Sequence, residues 1–436
     1  MQKVTGNLPR GTGMHEVVVI GGGVTGIQAS LDLADHGIMV HLVERQPSIG
    51  GHMSQLDKTF PTNDCSMCIL SPKMVDVIRH PNIRVYTCSE IERVEGEEGD
   101  FLVTIRKNPR YIHEDLCNGC GDCIQVCPVE VYNEFDAGVG TRKAIYKPNS
   151  QAIPDLVVKD PVHCVECGLC YDACLLDAVK EKDEPVFSGV HAGSIIVATG
   201  YSVFNPGEKK QFRYLDFPDV ITNLELERLI NASGPTGGEI RRLSDGKKPD
   251  RVVFIQCVGS RDMSINRPWC SCVCCMASIK NAILIKEKSP GTDVIICYMD
   301  MRAYGKGYEE FLARAEAAGI TFLRGIPGEI GGDKGAMSLV VEDSETGELK
   351  DLKPGLVVLA VGISPSAQAG EIAEKLGISL DISGFFKPLD EKMGMIETNR
   401  PGIYIAGTAV APKDIPDCVA VAGAAAMRSF IGSMRD

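Results

Sequence analysis

Two groups of four cysteines with the same spacing lie close together in the first half of the chain. Each follows CxxCxxCxxxC: Cys117, Cys120, Cys123 and Cys127, then Cys164, Cys167, Cys170 and Cys174. In this pattern three thiolates from one short loop converge on one iron–sulfur cube, and the fourth cysteine crosses to the other cube. The spacing therefore predicts two [4Fe–4S] clusters, one on Cys117, Cys120, Cys123 and Cys174, the other on Cys164, Cys167, Cys170 and Cys127.

The region that contains both groups, residues 111–182, is expected to form a ferredoxin-like insertion. A zinc site would use four ligands, usually as two pairs, and would not explain eight cysteines in this repeat. The first group ends in Cys-Pro, as such motifs do, whereas Leu175 follows the second. Iron–sulfur clusters therefore explain the repeat better than zinc.

The composition favours a soluble protein with redox chemistry. A net charge of -13 argues against nucleic acid as a partner, since phosphate contacts need clustered Lys and Arg. Eighteen cysteines indicate metal or redox chemistry rather than structural disulfides. We see no apolar run near the ~18 residues that cross a bilayer and no signal-peptide pattern at MQKVTGNLPR. We therefore expect a cytoplasmic protein without a membrane span.

A dinucleotide-binding unit is predicted over residues 15–44. A short apolar strand, VVVI, leads into Gly21, Gly23 and Gly26 in GxGxxG spacing, and then come an amphipathic stretch and a second strand that ends at Glu44. Such glycines allow a tight turn and close approach of the backbone to a pyrophosphate, which the helix N-terminus stabilises. An acidic residue at the end of the second strand is placed to bind an adenosine ribose.

Further segments resemble flavoproteins with two dinucleotide-binding domains, the thioredoxin reductase and glutathione reductase class. They are RQPSIGG with Arg45, Gly50 and Gly51, the ATG that ends at Gly200, and GIYIAGTA with Gly407. The resemblance implies an α/β fold of that class, interrupted by the ferredoxin-like insertion, and FAD as the cofactor. The class usually has an acidic residue after the last glycine, where this chain has Thr408.

The second dinucleotide-binding domain lacks its glycine signature. Strand RVVFIQC ends at Cys257, and the turn after it has only Gly259, so nicotinamide binding is not expected. The stretch WCSCVCCM follows. If it is helical, Cys270 and Cys274 share a face, Cys275 lies beside Cys274, and Cys272 points away; a strand would align Cys270, Cys272 and Cys274. A cysteine-lined core is the third alternative.

Several segments are similar to the flavoprotein A subunit of heterodisulfide reductases. They are TFPTNDCSMCILSPKM, IQCVGSRD, WCSCVCCMASIK and YMDMRAYGKGYEEF. The resemblance implies that a C-x12-C-x3-CC pattern binds a third [4Fe–4S] cluster, here through Cys257, Cys270, Cys274 and Cys275. It also implies that Lys280 lies near the flavin N5, where a cation would tune the flavin potential. A solvated helix lysine is the alternative for Lys280.

Four of the remaining cysteines, Cys65, Cys68, Cys88 and Cys418, have no single assignment. Cys65 and Cys68 form a CxxC that predicts a further cluster together with Cys88, a redox dithiol, or an inert structural pair. Cys297 lies in an apolar strand and is expected in the core. Cys418 begins a segment expected to pack towards the flavin, with a ligand role as one alternative.

The predicted domains are 14–110, 183–245 and 383–436 for FAD binding, 111–182 for the insertion, and 246–382 for the degenerate domain. The resemblance implies an electron-transfer subunit of a heterodisulfide reductase-like complex, at the branch point of electron bifurcation or confurcation between a ferredoxin-type carrier and a disulfide-reducing partner. Expected partners are other subunits of that type and a hydrogenase, dehydrogenase or ferredoxin, in a hetero-oligomer or a dimer of complexes. An NAD(P)H-dependent flavin:ferredoxin reductase and a non-catalytic relay scaffold remain open.

Overall fold

The computed structural model describes residues 16–333 and 335–433 of the chain. The MQKVTGNLPR segment and residues 14 and 15 of the predicted FAD-binding domain lie outside these residues, as do the last three residues of the chain.

Strands and helices alternate along the chain. Before the insertion they are β1 (Glu16–Ile20), α1 (Val24–Asp35), β2 (Met39–Val43), α2 (Ser66–Arg79), β3 (Ile83–Tyr86), β4 (Ser89–Glu97) and β5 (Asp100–Lys107). Within the insertion they are short: α3 (Asp122–Gln125), β6 (Glu130–Tyr132), β7 (Thr141–Lys143), β8 (Ile145–Tyr146), β9 (Val158–Lys159) and α4 (Leu169–Asp172). After the insertion they are β10 (Val186–Ala192), β11 (Ser194–Val197), β12 (Tyr201–Val203), β13 (Val220–Thr222), α5 (Asn223–Ile230), β14 (Arg251–Val258), α6 (Cys274–Lys288), β15 (Asp293–Tyr298), α7 (Tyr308–Ala317), β16 (Thr321–Arg324), β17 (Gly331–Asp333), β18 (Ala336–Glu342), β19 (Leu349–Leu352), β20 (Leu356–Val361), β21 (Ile363–Pro365), α8 (Ala369–Leu376), β22 (Ile403–Ile405) and α9 (Ile415–Ser433).

The first domain is built on a parallel sheet in the order β22-β11-β1-β2-β3. Both faces of this sheet are covered, which explains why its strands are mostly apolar. Val17 and Val19 of β1 face α1, α2 and α9, whereas Val18 and Ile20 face α8 and an antiparallel sheet in the order β10-β5-β4. The glycine turn after β1 lies at the carboxyl edge of the sheet, where such folds bind ligands.

The second domain repeats this plan around a parallel sheet in the order β13-β20-β14-β15-β16. Helices α5, α6 and α7 cover one face, and the antiparallel β17-β18-β19 covers the other. Cys297 lies in this core, as predicted, and is fully buried in β15.

Two elements lie in a different domain from the one predicted. Strand β13, predicted within the FAD-binding segment 183–245, pairs with β20 in the second domain. Helix α8, predicted in segment 246–382, packs through Ala373 and Leu376 on the core of the first domain. These positions correct the boundaries at 245 and 382. Apolar periodicity indicates a strand or a helix, but it does not say which of two similar sheets the element joins.

Within the described part of the chain, one helix segment, Ile415–Gly432 of α9, is long and apolar enough to cross a membrane by length and composition alone. The sequence analysis did not single it out. Ala422, Ala425 and Ala426 of this segment are buried in the core of the first domain, next to residues of α1. Its apolar character is thus used at least partly for packing between helices.

Candidate functional site

A large cavity of about 630 Å³ lies where the two domains and the insertion meet. Its volume falls in the range of pockets that bind cofactors and drug-sized ligands. The first domain contributes the turns after β1 and β2, and the second domain contributes the start of α5 and residues next to α6. The cavity is the candidate site for FAD.

The glycine turn at the cavity wall has no room for larger residues. Gly21 has φ +107, and a Cβ there would lie 2.4 Å from the carbonyl oxygen of Ala198. A Cβ on Gly26 would lie 1.8 Å from the carbonyl oxygen of Gly21, so this glycine allows α1 to approach the turn. The start of α1, at Gly23, Val24 and Thr25, therefore lines the cavity, which is the geometry that binds a pyrophosphate.

Glu44 is held in the cavity wall by backbone donors. The Gly22 N–H donates to Oε2 at 2.6 Å, and the Gln46 N–H donates to Oε1 at 2.7 Å. Burial raises the pKa of Glu44, and these hydrogen bonds partly offset that rise. The carboxylate is thus oriented before any ligand binds, as a ribose-binding acid needs to be.

The predicted FAD-binding residues fall into two sets. Those that line the cavity are Gly21, Gly23, Glu44, Arg45, Gly51 and Gly200. Gly26, Gly50 and Gly407 shape its wall from behind: the Gly50 N–H donates to the Gly22 carbonyl at 2.7 Å, and a Cβ on Gly407 would lie 2.3 Å from Oγ1 of Thr25. Thr408 itself lines the cavity, where the related class has an acidic residue.

The insertion contributes cavity residues that the sequence analysis missed. Asn133, Phe135 and Tyr146 line the cavity from the hairpins between the two cysteine groups. An ion pair fixes this contact: Arg228 of α5 is 1% exposed, and its Nε lies 3.0 Å from Oδ1 of Asp136. The sequence carried one signal for this contact: Arg228 lies among the leucines of α5. An arginine that is buried with such leucines requires an acidic partner from another part of the chain.

One predicted ligand set surrounds a small cavity inside the insertion. Its lining includes Cys127 together with Cys164, Cys167 and Cys170, the four cysteines assigned to one cluster by the crossing rule. Ile145 of β8 lines this small cavity, and its chain neighbour Tyr146 lines the large one. A single strand therefore separates this cysteine group from the candidate FAD site.

The structure also brings the other predicted set in the insertion together. Cys123 is buried at α3, and burial is the main cause that raises its thiol pKa to about 12. The neighbouring Cys117, Cys120, Cys174 and Cys170 contribute to this rise, so Cys174 and Cys170 of the second group both lie near the first loop. No three His, Cys, Asp or Glu side chains in the described ranges are arranged around a single metal ion.

Cys257 is turned out of its strand by an irregularity. The pairing of β14 with β20 shifts register between Ile255 and Val258, which inserts one extra residue. Cys257 lies in this bulge with φ +60, a conformation that costs a non-glycine residue about 1–3 kcal/mol. Bulges of this kind re-aim side chains near functional sites.

The bulge and the start of α6 bring the predicted third set together. Burial raises the pKa of Cys257 to about 11, and the nearby Cys275 and Cys270 raise it further. Cys274 is buried, with Cys257, Cys275 and Cys270 close enough to raise its pKa. The helix begins at Cys274, so the helical alternative does not extend to Cys270; the loop before α6 brings Cys270 close to Cys274 instead.

Cys272 lies beside this group and contacts Cys270. It has φ +62, and its N–H donates to the Cys270 sulfur at 3.3 Å. Its own thiol donates to the Cys270 carbonyl at 3.6 Å and is also within reach of the Tyr304 hydroxyl. The side chain of Cys272 therefore lies between Cys270 and the loop before α7.

Lys280 lies behind the cavity wall. It is 1% exposed, forms an ion pair with Glu227, and donates to the carbonyl of Lys58 at 3.0 Å. Glu227 lines the cavity, whereas Lys280 does not. The alternative of a solvated helix lysine is therefore excluded, and the placement of Lys280 near the flavin N5 stays a prediction.

The remaining cysteines are dispersed. Cys65 and Cys68 are exposed and joined by a disulfide at the start of α2. Cys88 is buried near Arg110, and burial raises its pKa. Cys418, at the start of α9, lines the large cavity next to Thr25.

Comparisons with known proteins agree with this site. Residues 16–67 match the family model of FAD dependent oxidoreductases, and residues 116–179 match a 4Fe-4S dicluster domain. The iron-sulfur A subunit of CoB–CoM heterodisulfide reductase from Methanocaldococcus jannaschii is 52% identical over 94% of the chain. The chain is a homologue of the A subunits of heterodisulfide reductases.

A second relative matches a similar share of the chain. The A subunit of the H(2):CoB-CoM heterodisulfide,ferredoxin reductase from Methanothermobacter marburgensis is 51% identical over 95% of the chain. The chain spans 63% of the length of each of these two heterodisulfide reductase subunits.

The solved structures show the fold. Thioredoxin reductase from Lactococcus lactis aligns with a TM-score of 0.54 at 16% identity, over 97% of this chain and 100% of its own length. The predicted α/β fold of that class, with a cluster-binding insertion, is confirmed.

Proposed function

We propose that this chain is the FAD and iron–sulfur electron-transfer subunit of a heterodisulfide reductase-like complex, in which the flavin site is the branch point between a ferredoxin-type carrier and a disulfide-reducing partner. One observation carries the proposal: residues next to two separate cysteine sites line the candidate FAD cavity. Tyr146 of the insertion lines it on one side, and Val273 and Ala277, which flank Cys274 and Cys275, line it on another. The two heterodisulfide reductase relatives support the substrate class through their names.

The residues at the cavity fit FAD. The N–H groups around Gly21 and Gly23 would bind the pyrophosphate, and Glu44 would accept from the ribose. Bound there, FAD supplies the ability to take up two electrons together and to release them singly. The chain itself orients Glu44, excludes water with Phe135 and Tyr146, and fixes the insertion through Arg228.

At least three clusters are proposed, with the ligand sets predicted from the sequence. The sets are Cys117, Cys120, Cys123 and Cys174; Cys164, Cys167, Cys170 and Cys127; and Cys257, Cys270, Cys274 and Cys275. Their grouping around Cys123, around the small cavity and around the bulge supports these sets. Partner subunits of the heterodisulfide reductase type and a donor enzyme or ferredoxin belong to the same proposal.

Lys280 is proposed as a positioning residue for the cavity. Its ammonium group is buried against Glu227, so it fixes the position of that side chain in the cavity wall. Lys280→Met is expected to shift the flavin midpoint potential and its pH dependence. Lys58→Met is the matched control, because Lys58 contributes only its backbone carbonyl to this contact. An unchanged potential in Lys280→Met would remove this role.

The test of the branch point compares two variants, each lacking one cysteine site. Cys127→Ala interrupts the insertion and Cys274→Ala interrupts the bulge site, and both should retain FAD. The reconstituted proteins are reduced anaerobically with one equivalent of dithionite, and the cluster signals are followed by freeze-quench electron paramagnetic resonance. A branch predicts that each variant still reduces the clusters of the other site at the wild-type rate.

A linear chain gives a different outcome. If Cys274→Ala also abolished reduction of the insertion clusters, or the converse, the sites would be connected in series and the branch point would be refuted. Rapid flavin reduction by NADH or NADPH would instead favour the flavin:ferredoxin reductase. The structure argues against that alternative, because the Phe204 ring lies against Gly259, only 2.1 Å from the position of a Cβ, and fills the turn where a nicotinamide cofactor would bind.

A further inference from the structure

The exposed loop that precedes α2 carries the disulfide between Cys65 and Cys68. All 18 cysteines lie in the described part of the chain, and this is the pair that the structure joins, with Cα atoms 5.2 Å apart. Both residues are exposed, and neither lines the flavin cavity. The pair therefore faces solvent rather than the flavin.

The two sulfurs have different surroundings. Cys65 is the N-cap of a 14-residue helix, and its sulfur accepts the N–H of Cys68 at 3.2 Å. A thiolate at Cys65 is stabilised by this donor and by the positive end of the helix. Cys68 lies within the first turn and has no such donor among the contacts of the described residues. Ile69, 43% exposed, adds an apolar contact surface beside the pair.

The loop is fixed independently of the disulfide. The N–H of Asp57 donates to Glu227 at 3.0 Å, and the Lys58 carbonyl accepts from Lys280. Lys58 also pairs with Cys65 through an isolated antiparallel bridge. The position of Cys65 is therefore set by backbone contacts that remain when the sulfur–sulfur bond opens.

We propose that Cys65 and Cys68 form a reversible dithiol–disulfide couple that exchanges with an external disulfide. The Cys65 thiolate attacks one sulfur of the external disulfide, which releases one thiol and forms a mixed disulfide. The Cys68 thiol, losing its proton to solvent, then attacks Cys65 and releases the second external thiol. Two electrons pass from the pair to the external disulfide, and a dithiol protein of the thioredoxin class would return them in the reverse reaction.

The test uses the holoprotein purified anaerobically, with Cys65→Ser and Cys68→Ser as a matched pair. Each protein is reduced with dithiothreitol, desalted and mixed with glutathione disulfide, and mixed disulfides are located by mass spectrometry. Cys68→Ser should accumulate glutathione on Cys65, about tenfold faster than Cys65→Ser does on Cys68, because only Cys65 has the thiolate-stabilising cap. Wild type should release two thiols and re-form its disulfide.

Iron, sulfide and FAD contents separate this proposal from a ligand role. Both variants should keep the wild-type contents, whatever the outcome at the other cysteine sites. Loss of iron in either variant would overturn the proposal, since the pair would then hold a cluster. Equal rates of glutathione labelling in the two variants would also overturn the proposal, because two equivalent exposed thiols would react in this way. An absence of labelling in both variants would overturn it as well.

Discussion

The two cysteine sites next to the flavin cavity are built in different ways. In the insertion, the proposed ligands come from two short loops of identical spacing, and each loop includes a helix of one turn, α3 or α4. At the second site, the proposed ligands come from a strand bulge at Cys257, an irregular loop and the first turn of α6. The insertion is a module that carries its geometry in its local sequence, whereas the second site exists only in the context of the second domain.

The largest expected effect tests the crossing of ligands within the module. Cys127→Ala and Cys174→Ala should each lose about four irons per chain, but from different clusters. Iron analysis and electron paramagnetic resonance would distinguish them, because Cys127 lines the cavity next to β8 and Cys174 lies with Cys123. Cys297→Ala is the control and should lose none. Loss of the same signal in both variants would contradict the crossing.

The second-largest expected effect concerns the ion pair that attaches the insertion to the second domain. Arg228→Met leaves Asp136 buried without its cation and should destabilise the docked insertion by about 3 kcal/mol. Faster proteolysis within residues 111–182 at intermediate urea would report this. Arg106→Met, which removes a partly exposed pair with Glu90, should cost less than about 1 kcal/mol. Equal protection of both variants would mean that the ion pair does not hold the module.

The glycine turn, like the insertion, is formed by residues that are close in sequence. A substitution of Glu44 beside this turn is expected to have the smallest effect of the three, a loss of FAD affinity. Glu44→Gln keeps one acceptor and loses the charge, so FAD should bind about tenfold more weakly. Fluorescence titration of the apoprotein with FAD measures this. Glu287→Gln, exposed on α6, should leave the affinity unchanged. A normal affinity for Glu44→Gln would place the ribose elsewhere.

The same contrast explains which parts could be predicted. The glycine turn and the grouping of the eight insertion cysteines were predicted from local spacing, because the residues that form each unit are close in sequence, whereas the fold class came from the resemblance to flavoproteins with two dinucleotide-binding domains. The cavity contacts of Phe135 and Tyr146 could not be predicted, since they depend on how the insertion docks. The positions of β13 and α8 were assigned to the wrong domain for the same reason, as both depend on pairing between distant segments.

The bulge site shows a subtler limit. The resemblance to heterodisulfide reductase A subunits pointed to four cysteines that the structure brings together, whereas the spacing alone left a helix, a strand and a cysteine-lined core open. The grouping depends on the left-handed conformation of Cys257 and on a loop that folds Cys270 towards Cys274. Neither feature can be predicted from the cysteine spacing. A non-glycine residue such as Cys257 stays in the left-handed conformation only where tertiary contacts hold it there.

The most direct test of the bulge site compares Cys274→Ala with Cys272→Ala. The two cysteines are two positions apart, yet only Cys274 is proposed as a ligand. Iron and sulfide are counted per chain after anaerobic reconstitution, with FAD as the internal reference. We predict that Cys274→Ala loses about four irons and that Cys272→Ala retains the wild-type content. Equal iron contents in the two variants, whether both reduced or both unchanged, would contradict a cluster held by Cys257, Cys270, Cys274 and Cys275.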